Sequence, residues 1–507
     1  MILSKETLSE VSTSSGVVIP KEELLNLPER ILQFGTGVLL RGLPNYLVDK
    51  ANRKGVFNGR ILVVKSTDKG SSEAFDNQNG MFTLCVRGLE DGKQIDEKII
   101  NSSISRVVSA KQDWDTIIEA ITQPELQIVF SNTTEVGIVL NSEDKITNNP
   151  PVSFPGKLLA ILKKRYDTFK GSTESGMVIV PAELVADNGT KLKDICVELA
   201  KLNHLDEAFI AWLKTTNDFC NTLVDRIVPG ALPTEEHIQT QKTLGYTDDL
   251  MIMAEPYRLW AIETSSQRTK EILSFAKVDS GVVIANNINK HREIKLRLLN
   301  APHTFSCALA LWSGFPIVKE AMQNEAFRKY ISELMLNEIA PVIVGSDISE
   351  EEAKVFAGKV LDRFANPFIA HEWLNISAQY TLKVSSRCIP LLLNYYKKFN
   401  KAPKGMVLGL AAYFLFMNSK KKEQGQYIGT INKKDFVIND EKAPVLFSHW
   451  QKESIPAAVK SILSDTSLWN ADLTELQGFE KSICDAIELL KSKGSETLLQ
   501  KEIITSK

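Results

Sequence analysis

The shortages in this sequence narrow its function first. It has six cysteines in 507 residues and none forms a CxxC pair, so neither a zinc ribbon nor a disulfide-stapled scaffold is expected. Buried, unreactive thiols in a reducing, cytoplasmic setting are the expectation. Charge of one sign is not in excess: Lys+Arg is 60, Asp+Glu is 62 and the net charge is −2. That balance disfavours non-specific nucleic-acid binding as the main activity. Long apolar runs are lacking too. The longest, Met406 to Met417 (MVLGLAAYFLFM), is shorter than the roughly 20 residues that span a bilayer and suits a buried helix. No membrane partner is expected. The start, MILSKETLSEVSTSSG, has no basic stretch followed by an apolar one, so no secretory leader is expected there. No repeat period is visible.

What is present is ordinary globular composition, 43% hydrophobic and 24% charged, over a length that allows two or three domains. The first half alternates β-rich and helical stretches. Arg30–Phe34, Arg60–Lys65, Ile128–Ser131 and Met177–Val180 read as strands, and Leu39–Lys54 reads as a helix. Near-continuous apolar strands between helices predict a parallel sheet covered on both faces, an α/β Rossmann-type doubly wound domain. TLCVR (Thr83–Arg87), followed by Gly88 and Asp91-Gly92, predicts an inserted hairpin. From about Val282 helical spacing dominates, in Lys290–Leu299, Thr304–Trp312, Glu350–Phe364, Ala378–Phe399, Val407–Met417 and Gly478–Lys493. The expected organisation is therefore residues 1–280 as the Rossmann-like domain and 281–507 as a mostly α-helical domain. Asn141–Pro151 and Pro233–Asp248 read as surface loops, and Lys420–Lys434 as a polar excursion from the helical core.

Gly35-Thr36-Gly37 follows the first strand, with Val38 opening a helix. The first glycine permits a tight turn and the second lets the backbone approach a pyrophosphate. The helix N-terminus then supplies amide donors. Leu40 stands where a third glycine is usual, and Arg41 can pair with phosphate. A plain turn, or an S-adenosylmethionine site, uses the same glycines. After the second strand, Asp68 can hold the adenosine ribose and favours NAD, whereas Lys65 and Ser66 suit a 2′-phosphate. Asp68 also suits a loop cap. Asn132, Thr133 and Glu135 follow the strand ending at Ser131 and lie where cofactors bind, although Ser, Asn and Thr also cap helices.

The richest stretch for chemistry is KHREIKLRLLNAPHTFSCALALW, Lys290–Trp312. At about 100° per residue, Lys295 and His303 lie about 80° apart and Asn300 about 140° from Lys295. Pro302 is expected to interrupt the helix and open the next one. A lysine whose pKa falls from about 10.4 towards neutrality can serve as acid/base for carbinol–carbonyl interconversion. Asn300 can donate to a developing alkoxide, and His303 can orient lysine or substrate. A solvated lysine and two helix caps are the plain alternative.

With these residues in hand, the chain resembles the mannitol dehydrogenase family of polyol-specific long-chain dehydrogenases/reductases. The carrying motifs are ILQFGTGVLLRG, QNGMFTLCVRG, SNTTEVGI, VSFPGKLLAIL, VPAELVADNG, LVDRIVPG, EPYRLWAIE, KLRLLNAPHT and RFANPFIAHEW. SNTTEVGI is similar to the family's uronate-reductase branch. The resemblance implies NAD as cofactor, no metal, and reversible reduction of a small sugar acid in hexuronate metabolism. Tagaturonate, reduced to altronate, is favoured. Fructuronate and uncharged polyols are alternatives, as is a dinucleotide-binding sensor without turnover. It also implies Lys295 as acid/base, Asn300 and Asn188 as alkoxide-stabilising amides, and His303 as the residue positioning lysine and substrate. Asp225 matches the VDR aspartate near substrate and Arg363 the RFxNP arginine, and either can instead make an ion pair. Arg292 stands where some members carry a glutamate three residues before the lysine, and Ala301 where a glycine follows the asparagine. An acidic substrate calls for cations: Arg363, His371, Lys383 and Arg387 are the candidates. The oligomeric state is left open.

Overall fold

The apolar runs of the first half pair as parallel strands. β1 (Glu29–Phe34), β2 (Arg60–Lys65), β3 (Ile104–Ser109), β4 (Ile128–Ser131), β5 (Val178–Pro181) and β6 (Asp218–Phe219) form a six-stranded sheet in the order β3-β2-β1-β4-β5-β6. Every pairing in it is parallel. The computed structural model from which this architecture is read describes residues 1–65, 72–133, 137–419 and 421–504. Successive residues of the strands feed opposite faces. Ile31, Val63, Phe130 and Val180 enter one apolar core, and Leu32, Phe34, Leu62, Val64, Val129 and Ile179 enter the other. A strand buried on both faces has no polar alternation to show, which is why these segments read as continuous apolar runs. The doubly wound α/β domain expected from the sequence is present.

The chain divides into two compact units, Met1–Gly88 with Gln94–Ile288, and Leu89–Lys93 with Asn289–Lys507. The predicted hairpin is there: Phe82–Glu90 and Lys93–Asn101 are neighbours in a second sheet. Asp91 and Gly92 join them, both left-handed at φ 53° and 72°, the backbone that tight two-residue turns require. A loop was expected over Pro233–Asp248, but Thr234–Leu244 is a helix closed by left-handed Gly245. Only Thr240 and Leu244 are buried in it, so its composition is that of a loop.

The second unit is helical: α1 (Asn289–Lys295), α2 (Ala301–Trp312), α3 (Glu350–Phe364), α4 (Tyr380–Lys383), α5 (Ile389–Phe399), α6 (Lys404–Phe416) and α7 (Phe479–Ile504) are the helices used below. One apolar core runs from Ile294 to Leu490. Every residue of α6 from Met406 to Phe416 is buried in it, as the longest apolar run predicted. No described helix is long and apolar enough to cross a membrane. The polar excursion is a small antiparallel meander, Lys421–Glu423, Gln426–Ile431 and Lys434–Val437.

Among the described residues, four helices carry a widened π turn: Arg41–Asn45, Leu296–Asn300, Leu334–Ile339 and Val384–Cys388. Proline accompanies each. Pro44 lies inside the first, and Pro302, Pro341 and Pro390 stand two residues beyond the others. A proline cannot donate to the carbonyl four residues back, and its ring crowds that oxygen. A turn wound one residue wider relieves the clash without ending the helix. Pro302 was expected to interrupt the helix and open the next one; it stands in the first turn of α2, which follows the π turn without a break.

Candidate active site

In the first unit the site candidates gather at the carboxyl edge of the sheet. β1 pairs with β2 on one side and β4 on the other, with Phe34 level with both Val64 and Ser131. Strand order reverses there, and ligands of such sheets bind at that crevice. Gly35 has φ 120°, and a Cβ on it would stand 3.1 Å from the Leu40 side chain and 3.3 Å from the Asn132 carbonyl oxygen. Only glycine fits this turn without strain. Gly37 differs: it is exposed, and a Cβ there would have no atom within 4 Å. It is the N-cap of the helix opened by Val38, with no side chain capping the amides. Thr36 lies between the two glycines, half-buried. Left-handed Gly35, open space over Gly37 and an uncapped helix start fit a dinucleotide pyrophosphate.

Arg41 does not fit that role. Its guanidinium is buried 5.7 Å from the Phe75 ring and 5.4 Å from the Phe82 ring, and its Nη1 donates to the Leu250 carbonyl at 2.5 Å. Burial lowers its pKa to about 10, with Asp248 pulling it back up. The expectation of a phosphate ligand is corrected to a buried packing residue. Asp68 and Glu135 lie outside the described residues.

The loop after β4 is held by a carboxylate that sequence reasoning passed over. Glu183, buried just beyond β5, accepts from Ser131 Oγ (3.0 Å), Thr133 N (2.9 Å) and Thr133 Oγ1 (3.0 Å). Asn132 Nδ2 donates to the Ala182 carbonyl at 2.8 Å. Gln33, a polar residue inside the apolar strand β1, donates from Nε2 to the Gly35 carbonyl at 3.0 Å, and Asn45 Nδ2 donates to Gln33 Oε1 at 2.7 Å. Gln33 therefore orients the glycine turn. The polar residues in RILQF and VPAEL were the signals available.

Asn188 is the second correction. It is fully buried. Its Nδ2 donates to the Pro181 and Glu183 carbonyls and to Thr222 Oγ1, at 3.1, 3.1 and 3.2 Å. Its Oδ1 accepts from Gly189 N and Thr222 N, both at 2.9 Å. With two amide protons and three acceptors in reach, the side chain has no donor left for a substrate oxygen. Its role is to clasp the ends of β5 and of the strand Asn221–Asp225. Asp225 closes that strand, buried and level with Leu259.

In the second unit, Lys295 ends α1 and Asn300 ends the π turn, closed by the Ala301 N–H donating to Leu296 O, five residues back. In an unbroken α-helix Asn300 would sit about 140° from Lys295. An i→i+5 turn brings the fifth residue back close to the starting direction. The widened turn thus carries Asn300 towards the Lys295 side. Lys295, Asn300 and His303 are all half-buried.

The His303 ring stacks on Phe364 at 3.8 Å and 13°, with the His371 ring edge-on at 5.6 Å and the Trp373 ring at 5.8 Å. Burial holds its pKa well below the ordinary imidazole value, and His371, Arg363 and Arg387 push the same way. The neutral form of His303 is favoured. His371 is lowered too, by burial and then by Arg363 and Lys383. It was expected as a cation for a substrate carboxylate, and burial and these neighbours disfavour its charged form. Lys383 donates from Nζ to the Ile376 carbonyl at 2.8 Å. Burial, then Arg387, lowers its pKa. Arg387, in the Val384–Cys388 turn, reaches Thr304 Oγ1 at 3.4 Å. Arg363 is buried in the last turn of α3, beside the Phe364 that stacks on His303. The structure therefore brings His303 together with Arg363, His371, Lys383 and Arg387 in one electropositive cluster. No group of three potential metal ligands occurs among the described residues.

A doubly wound parallel sheet with a glycine turn at its switch point defines a dinucleotide-binding class of protein. The family match makes this specific. The model of the mannitol dehydrogenase Rossmann domain matches residues 29–273, and that of the mannitol dehydrogenase C-terminal domain matches residues 287–491. The chain belongs to the mannitol dehydrogenase family. It is 35% identical over 477 residues to the altronate oxidoreductase of Halalkalibacterium halodurans, covering 92% of each chain. It is 32% identical to that of Bacillus subtilis, covering 94% of this chain and 96% of the relative. Among solved structures, Pseudomonas fluorescens mannitol 2-dehydrogenase, a ternary complex with NAD and D-mannitol, superposes with a TM-score of 0.67 at 20% identity and full coverage of both chains. A substrate-free D-sorbitol dehydrogenase gives a TM-score of 0.77 at 18% identity, covering 98% of this chain and 100% of the other. These two likenesses establish the fold.

Proposed function

We propose that this chain is an NAD-linked sugar-acid oxidoreductase of the cytoplasm that interconverts tagaturonate and altronate without a metal. The observation that supports the reading is the π turn Leu296–Asn300, which follows Lys295 directly, ends on Asn300 and lies three residues before His303 and its neighbouring cations. Relatives named altronate oxidoreductase over more than nine-tenths of the chain support the substrate class.

The first unit would hold NAD through Gly35, Thr36, Gly37 and the Val38 helix start, with Asn132 and Thr133 on the neighbouring strand end. NADH, when bound, supplies the hydride equivalent to the ketone carbon. In reduction, Lys295 donates its ammonium proton to the ketone oxygen and is left as the neutral amine. In oxidation it takes the proton back. Asn300 donates a hydrogen bond to that oxygen as negative charge develops on it, which is where a fixed dipole lowers a barrier most. Neutral His303, fixed by its stack on Phe364, positions the lysine or a substrate hydroxyl. Arg387 and Arg363 are the cations for the carboxylate, with Lys383 beside them.

The test is NADH oxidation by the purified chain with tagaturonate, fructuronate and fructose, each also run with NADPH. Tagaturonate with NADH is expected to give the highest kcat/KM, and preference for fructose would overturn the sugar-acid reading. Lys295→Ala is expected to lower kcat by about 10²–10⁴-fold while NADH binding, followed by fluorescence, persists. Unchanged turnover in that variant removes the lysine mechanism.

A further inference from the structure

Two π turns of the second unit meet, and one side chain, Arg297, crosses between them. Pro390 has no N–H to give to the Ser386 carbonyl four residues back. Arg297, in the middle of the Leu296–Asn300 turn, meets it. Its Nη1 donates to the Ser386 carbonyl at 3.1 Å and to the Arg387 carbonyl at 2.9 Å, while its Nε donates to Glu293 Oε1 at 2.6 Å. The return contact runs from Arg387 Nη1 to Thr304 Oγ1 at 3.4 Å, and Thr304 Oγ1 donates to the Asn300 carbonyl at 2.8 Å. The Arg297 side chain is 12% exposed. A planar, always-charged fork suits this triple duty, and a lysine has no equivalent geometry.

We propose that Arg297 is a positioning residue that fixes the turn carrying Lys295 and Asn300 against the turn presenting Lys383 and Arg387, and so matches the site to a substrate whose ketone and carboxylate are a set number of bonds apart. The proposal rests on the reading above, in which the first turn delivers the proton and the second meets the carboxylate. Arg297 touches no reacting atom in this scheme. Its effect passes through the Ser386 and Arg387 carbonyls to the register of the Arg387 side chain.

A double-mutant cycle on the full chain tests it, with kcat and KM for tagaturonate measured at saturating NADH for the wild type, Arg297→Met, Arg387→Met and the double variant. Freeing two carbonyls from their donor is expected to raise KM about tenfold in Arg297→Met, with a smaller fall in kcat. The double variant is expected to lie within about twofold of Arg387→Met, because the two residues act through one contact. Arg297→Lys, which keeps the charge and loses the fork, is expected to fall between wild type and Arg297→Met. Multiplicative losses in the cycle, or a KM for Arg297→Met within about twofold of wild type, overturn the proposal. A merely structural role would move thermal stability and leave the cycle multiplicative. Should Arg297→Met fail to fold by circular dichroism, Arg297→Gln carries the same cycle. A wild-type chain that reduces neither tagaturonate nor fructuronate overturns the sugar-acid reading and this proposal together. An active wild type with a multiplicative cycle overturns the proposal alone.

Discussion

His303 shows how a residue singled out in the sequence has its state decided by neighbours from distant segments. Phe364, His371 and Trp373 box its ring, and burial holds its pKa well below the ordinary value. In the unfolded chain it titrates near 6.5. Below that pH the unfolded state takes up a proton that the folded state refuses, so stability falls as pH drops from about 6.5 towards the depressed folded value. Above about 6.5 both states are neutral and the effect vanishes. His371, also lowered, acts in the same direction. On acidification from about pH 7 to 5, the wild-type Tm is expected to fall faster than that of His303→Asn. Parallel curves by scanning calorimetry would refute the buried, neutral state. Arg41 and Asn188 carry the same lesson in reverse. Their residue types suit phosphate and alkoxide, but their hydrogen bonds are made inside the first unit.

At the scale of elements, strand and helix cores were legible because burial on both faces of the sheet leaves unbroken apolar runs. β2 and β4 have the bounds their apolar runs predicted, and α3 runs over Glu350–Phe364 as expected. The Thr234–Leu244 helix and the Lys421–Val437 meander were not legible, because few of their residues are buried and their polar composition is that of loops. The π turns were half legible. The prolines were visible, but whether a proline breaks a helix or widens it depends on the packing around it. The glycine turn offers a sharp contrast. Gly35→Ala places a Cβ against Leu40 and Asn132 at φ 120° and is expected to cost about 1–3 kcal/mol in urea unfolding. Gly37→Ala meets open space and is expected to leave stability within about 0.5 kcal/mol. NADH should nevertheless bind more weakly to it by titration, because the new methyl occupies the space a pyrophosphate would take. Equal NADH affinity in Gly37→Ala would argue against a phosphate seat there.

Across the whole molecule, cysteine usage gives the plainest check. Five of the six thiols are buried and Cys484 is half-buried, and none is disulfide-bonded. Burial raises the pKa of each, which suppresses the reactive thiolate. The native protein is expected to yield at most the Cys484 thiol rapidly to an aromatic disulfide reagent, and all six after denaturation. Fast reaction of several thiols in the native state would contradict the packing.

The sequence by itself determined the layer architecture and the glycine turn and marked Lys295, Asn300 and His303 as candidates, because periodicity and local motifs are properties of neighbouring residues. Tertiary structure alone decided how the candidate side chains are engaged. It turned Arg41 and Asn188 inward, disfavoured charge on His303 and His371, recruited Glu183 and Gln33 to hold the loops, and set Arg297 across two turns that lie about ninety residues apart. Hydrogen-bond saturation and desolvation depend on what packs against a side chain, and that is settled only when distant segments meet.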